Sequence, residues 1–124
     1  MFRKMIPLIS AALLALSFAA GAQDMPAKAA ADGTLTDAKG MTLYTFDRDA
    51  GGKSACNGPC AANWPPLMAA ADARASADWS IITRDDGGKQ WAYKGKPVYL
   101  WIKDQKPGDR TGDGFNNAWR LARP

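Results

Sequence analysis

Two thiols, two repeated carboxylates and one loop dense in Asp and Gly are the parts of this 124-residue chain with chemistry to offer. Cys56 and Cys60 enclose Asn57-Gly58-Pro59, a trio suited to a tight turn, so the pair predicts a structural disulfide closing a small loop. If reduced, the same thiols would suit a soft ion such as Cu(I), with Met41 or Met68 as third ligand. Asp49 and Asp104 could work as an acid–base pair only if the fold brought them close together. Otherwise each is a strand-end carboxylate that accepts N–H bonds from the loop behind it. Asp109-Arg110-Thr111-Gly112-Asp113-Gly114 imitates the start of a calcium loop, but Arg120 stands where the bidentate Glu belongs. That leaves Asp104, Asp109 and Asp113 as a partial ligand set, and a turn as the simpler reading.

Absent residue types narrow the chemistry further. The chain has no His, and all 12 of its acidic residues are Asp. The commonest general base and the commonest transition-metal ligand are therefore missing. Ser54, Ser76 and Ser80 have no visible base, and both cysteines are expected to be paired, so no nucleophile is activated. The expectation is a protein that is not an enzyme and carries no cofactor.

The carboxylates belong to a larger pattern. Tyr44-Thr45-Phe46-Asp47-Arg48-Asp49 and Tyr99-Leu100-Trp101-Ile102-Lys103-Asp104 both read Tyr-x-aromatic-x-basic-Asp, 55 positions apart. The same offset carries Lys39-Gly40 onto Lys94-Gly95, Leu43 onto Val98 and Trp64 onto Trp119. Two copies imply two half-domains closing one core, not an open solenoid. Asp in place of Glu also favours turns over helix interiors, so the halves are expected to be β-meanders.

The elements follow from local pattern. Thr34–Thr36 and Met41–Phe46 flank a hairpin turn at Asp37–Gly40. Trp79–Thr83, Gln90–Tyr93 and Pro97–Ile102 are short, β-branched and aromatic, and turns at 85–88 and 94–95 separate them. Along the last strand Val98, Leu100 and Ile102 share one face and Tyr99 and Trp101 the other, which predicts a central strand. By the same parity Tyr44 and Phe46 face away from Leu43 and Thr45. Trp64 and Trp119 end the two long loops, 47–63 and 103–118, and are read as structural aromatics. Pro65 and Pro66 suit an edge. The Ala-rich stretch 68–77 between the halves is read as a linker or a short helix. The fold predicted is a small all-β domain, barrel- or sandwich-like, with at most that one helix.

Residues 1–22 read as a signal peptide: Arg3 and Lys4, an apolar run from Ile6 to Ala20, then Ala20-Gly21-Ala22. Residues 23–32 show no strand pattern and are expected to be a flexible tail before a single domain over 33–124, with repeats at about 33–67 and 79–122. Without the leader, 14 basic residues face 12 acidic ones, so nucleic acid is not an expected partner. No later stretch is long and apolar enough to span a membrane.

These stretches together resemble a bacterial secreted-repeat family, often described as predicted lipoproteins, whose mark is a Tyr-x-(Phe/Trp/Tyr)-x-x-Asp motif. Gly40–Phe46 with Cys56–Leu67 is similar to the family's first repeat; Tyr93–Tyr99 with Asp104, Lys106–Asp109, Gly112–Gly114 and Trp119 is similar to its second. The resemblance implies an exported protein of unknown function with no assigned enzymatic activity. Unlike lipid-anchored relatives, the chain has no Cys at the expected cleavage point. The reading is a periplasmic or secreted, non-catalytic protein that is envelope-associated or binds an unidentified small ligand. One alternative is a copper or redox accessory protein using Cys56 and Cys60; another is a glycan-binding module using loop tryptophans left exposed.

Overall fold

The computed structural model describes residues 26–124, and the expected signal peptide lies outside them. Seven short strands carry the fold: β1 Ala27–Ala29, β2 Leu35–Asp37, β3 Tyr44–Phe46, β4 Trp79–Thr83, β5 Lys89–Tyr93, β6 Lys96–Pro97 and β7 Trp119–Leu121. A five-residue helix, α1 Pro59–Asn63, and a single 3-10 turn at Phe115–Asn117 complete it. The sheets are β1-β2, β3-β7 and β4-β5-β6, all antiparallel. Single bridges tie them together, and the strands do not close into a barrel.

The predicted hairpin turns form where the sequence places them. Asp37 accepts N–H bonds from Lys39 and Met41, and the Asp37 N–H reaches the Met41 carbonyl, which folds 37–41 back on itself. In the second repeat Asp86 accepts from the Gly88 N–H between β4 and β5.

The halves meet at a dyad. Tyr44 and Tyr99 exchange both backbone hydrogen bonds, at 2.8 and 2.9 Å. Outside this pair the strands are covered symmetrically: Asp47 N–H to Ala118 O repeats as Ile102 N–H to Asn63 O, and Ala122 N–H to Leu43 O repeats as Leu67 N–H to Val98 O. Segment 98–102 is thus flanked on both sides, but the strand expected over 97–102 is reduced to β6 at Lys96–Pro97 with single bridges beyond it, and Ile102, expected on a covered face, is exposed. The parity reading holds: Leu43 and Val98 lie in one core with Trp79 and Trp91, while Tyr44, Tyr99 and Trp101 lie in the other with Trp64 and Trp119.

Each half is built from both repeats. The end of the second repeat, β7, pairs with β3 of the first. The end of the first, Pro65–Leu67, pairs with 98–102 of the second. Pro66 lies opposite Tyr99, and Pro65 accepts from the Leu100 N–H but has no N–H with which to return the bond.

One further expectation needs correction, and one open alternative is decided. Residues 27–29, read as flexible tail, form β1 against β2, with Ala27 buried and the Thr36 hydroxyl on the Lys28 carbonyl. Ala-Lys-Ala carries no strand pattern, and its order comes from backbone pairing with β2, the Thr36 hydroxyl and the burial of Ala27 in the core. Residues 68–77, read as linker or short helix, form a linker: Met68 bridges Gln90, Ala69 N–H reaches Lys89 O, and the chain then turns, with Ala73 N–H on Ala70 O. The one short helix sits inside the first long loop, started by Pro59, whose missing N–H is no loss at a first turn.

Candidate functional site

The repeated tyrosines and acids are joined across the dyad. The Tyr44 hydroxyl donates to Asp104 at 2.6 Å, and the Tyr99 hydroxyl donates to Asp49 at 2.7 Å. Each acid also accepts from the loop that follows it: Asp104 from the Thr111 N–H and hydroxyl, Asp49 from the Ala55 N–H. The strand-end anchoring read from sequence is present, and a tyrosine from the other repeat completes it. Burial, aided by the neighbouring carboxylate, pushes both tyrosines well above the usual range. Burial likewise raises Asp49, against the Ala55 and Tyr99 bonds that pull it down.

Behind Asp49 runs a directed chain of hydrogen bonds. Arg84, 3 % exposed, donates to the Ser54 hydroxyl at 3.0 Å, the Gln90 side-chain carbonyl at 2.8 Å and the Cys56 carbonyl at 2.7 Å. A guanidinium only donates, and Tyr99 gives its single proton to Asp49, so Ser54 accepts from Arg84 and donates to Tyr99 at 2.6 Å. Gln90, fully buried, turns its amide to the Val98 carbonyl. Arg84, Ser54 and Gln90 were invisible as a group in the sequence; only the presence of an Arg at the end of a strand pattern hinted at a partner.

A column of four rings fills the aromatic core. Phe46 stacks on Trp119 at 4.2 Å, Trp119 on Trp64 at 3.7 Å, and Trp64 on Trp101 at 3.9 Å. Tyr44 and Tyr99 meet Trp64 and Trp119 edge-on, each at 5.2 Å. The column is symmetric about the Trp64–Trp119 contact, since Phe46 and Trp101 are counterparts. All five tryptophans are buried against one another or the strands, which removes the exposed-tryptophan basis of the glycan reading. Among the described residues Phe115, Ile102 and Met68 are the large apolar side chains left exposed.

The long loops differ most where they close over this column. Phe115 packs on Trp101 at 4.9 Å; its counterpart by the 55-residue offset is Cys60, joined to Cys56 in a disulfide. The two loops do meet. Arg48, Pro59, Cys60 and Asn63 from one, and Phe115, Asn116 and Ala118 from the other, line a cleft of about 280 Å³ over Phe46, Trp64 and Trp119. Asn116 and Asn117 hold left-handed backbone there, at φ 51° and 55°, a conformation Asn tolerates better than most residues.

The motif acids are not part of that cleft. Asp49 lines a separate cavity with Gly51, Gly52 and Lys96, and Asp104 is sealed behind Thr111 and Tyr44. Among the described residues no group of three or more acids and cysteines is placed to hold a metal ion. Asp109 is taken by the Gln105 and Lys106 N–H groups and the Lys106 ammonium, which makes 105–109 a turn. Met68 lines a third cavity with Arg74 and Trp91, whereas Cys60 faces the loop cleft, so the copper set of Cys56, Cys60 and Met68 does not share one site.

No helix among the described residues is long and apolar enough to cross a membrane. No curated protein and no solved structure matches the chain. A family profile described as a secreted repeat of unknown function matches twice, over residues 27–68 and 80–123, and the two matches follow the two structural repeats. The chain belongs to this family of secreted repeats.

Proposed function

We propose that the protein is an exported, non-catalytic binding protein of the periplasm or cell exterior, and that its ligand seat is the cleft where the two long loops meet. One observation supports the non-catalytic half: of the groups that could do chemistry all but Asp49 are fully occupied by internal bonds, Asp104 by three donors, Tyr44 and Tyr99 by carboxylates, and both thiols by each other, which leaves Asp49 without a second acid to work with. The cleft supports the binding half. It joins ring surface to polar groups of Arg48, Asn63 and Asn116, the mixture small-molecule sites use to combine affinity with orientation.

Trp64 and Trp119 form the cleft's floor, so an occupant should change tryptophan fluorescence. Titration with soluble envelope fragments is expected to give a saturable change that Arg48→Ala weakens severalfold. Hydrolysis of envelope glycans by the purified protein, lost in Asp49→Asn or Asp104→Asn, would sink the non-catalytic reading.

A further inference from the structure

Where the two repeats differ, a feature found in only one of them is a candidate for function once a structural role such as that of the disulfide is set aside. One such feature is a cavity of about 300 Å³ bounded in part by Phe46, Asp49, Gly51, Gly52, Gly95 and Lys96. The equivalent space in the second repeat is filled. Pro107, the counterpart of Gly52, lies against Gly40, the counterpart of Gly95, so that a Cβ on Gly40 would stand 3.2 Å from the Pro107 Cβ. A Cβ on Gly52 or Gly95 would have nothing within 4 Å.

The charges differ in the same direction. Asp104 is 8 % exposed and takes three donors, whereas Asp49 takes two and lines the open cavity, so part of its acceptor capacity stays unused. Neighbouring Asp47 is paired with Arg120, but no cation among the described residues lies within ion-pair distance of Asp49. Lys96 lines the same cavity and has no acidic partner among them either. Its counterpart in the other repeat is Met41, so this charge too occurs once.

We propose that this cavity binds a compact zwitterion of amino-acid size, its ammonium on Asp49 and its carboxylate on Lys96. The side-chain-free backbone at Gly51 and Gly52 lets such a ligand come close, and the volume, at the lower end for ligand pockets, suits a small molecule and not a polymer. The site shares only Phe46 with the loop cleft, and the proposal does not depend on what the cleft takes.

The test is amide-resolved NMR of the protein titrated with glycine and alanine, with methylammonium and acetate as half-ligands. Saturable shifts are expected at the Ala50, Gly51, Gly52 and Gly95 amides. Either half-ligand should bind at least tenfold more weakly than the amino acids. Asp49→Asn should weaken binding at least tenfold, and Lys96→Met, which puts at this exposed position the residue type its counterpart Met41 carries, severalfold. No saturable shift at these amides overturns the proposal. So does methylammonium binding as tightly as glycine, or amino-acid binding that Lys96→Met leaves intact.

Discussion

Each motif tyrosine is half of a bond whose other half lies 60 or 50 residues away, Tyr44 with Asp104 and Tyr99 with Asp49. Removing the Tyr44 hydroxyl by Tyr44→Phe leaves the buried Asp104 carboxylate short of a donor and the Gly112 N–H without its acceptor. The cost should be about 2 kcal/mol, read as a fall in the denaturant midpoint at constant slope. A Tyr44→Phe/Asp104→Asn double mutant should then cost clearly less than the sum of its singles. The same pairs set an alkaline limit. Both tyrosines keep their protons in the folded protein to higher pH than the ordinary value of 10.0, so the unfolded chain releases protons first. Their contribution to stability is intact below about pH 10 and declines above it. Tyrosinate absorbance from two of the three tyrosines should therefore rise together with loss of near-ultraviolet dichroism, not before it. Parity along a strand was enough to send Tyr44 and Tyr99 inward and to place the acids at strand ends. It could not reveal the bond between repeats, because periodicity describes one strand while the bond crosses the dyad. Ser54 and Arg84 were still less legible: Ser54 stands opposite Asp109 in the repeat alignment, so the pattern that exposed the tyrosines hid it.

At the scale of elements, the two long loops are fastened by what they close over. Gly112 lies so near the column that a Cβ there would stand 2.5 Å from Trp64 and 3.1 Å from Trp101. Both rings are buried and stacked, so neither has room to move aside. Gly112→Ala should cost about 3 kcal/mol by overpacking, measured by thermal or denaturant unfolding. The first loop relies on a different closure. Helix α1 buries none of its residues and has five of them, too few to persist alone, so the disulfide and the Arg84 bond to the Cys56 carbonyl hold it. Replacing both cysteines with Ser should lower stability by about 2 kcal/mol on the loop-closure argument. The loss should centre on 49–60, visible as faster amide exchange there. Hairpins with Asp and Gly at the turn were readable in advance because their chemistry is local. Strand β1 was not, and for 68–77 the choice between linker and helix stayed open, since Ala-rich segments take whatever conformation their backbone partners impose.

In the whole molecule the structural halves do not coincide with the sequence repeats. The β1–β3 region carries β7 of the second repeat, and the β4–β6 region carries Pro65–Leu67 of the first. Side chains follow suit: Arg84 grips the first loop, and Asp32 pairs with Arg110 of the second. A chain cut between Ala71 and Asp72, in the exposed linker, should yield two fragments with no native near-ultraviolet signal of their own. Mixed in equal amounts, they should regain it. A dispersed NMR spectrum from either fragment alone would show the repeats to be independent after all.

This crossing also governs when the chain can fold. Strand β3 is made early but finds its partner β7 at residues 119–121, and Trp64 waits for Trp119 to stack upon. Pairings of such long sequence separation form slowly, because the loop must close before the contacts reward it. The first repeat therefore has no completed core to collapse into until residue 121 has been synthesised. If the chain is exported unfolded, as its family of secreted repeats suggests, the order of its strands would keep this region threadable until residue 121 is made.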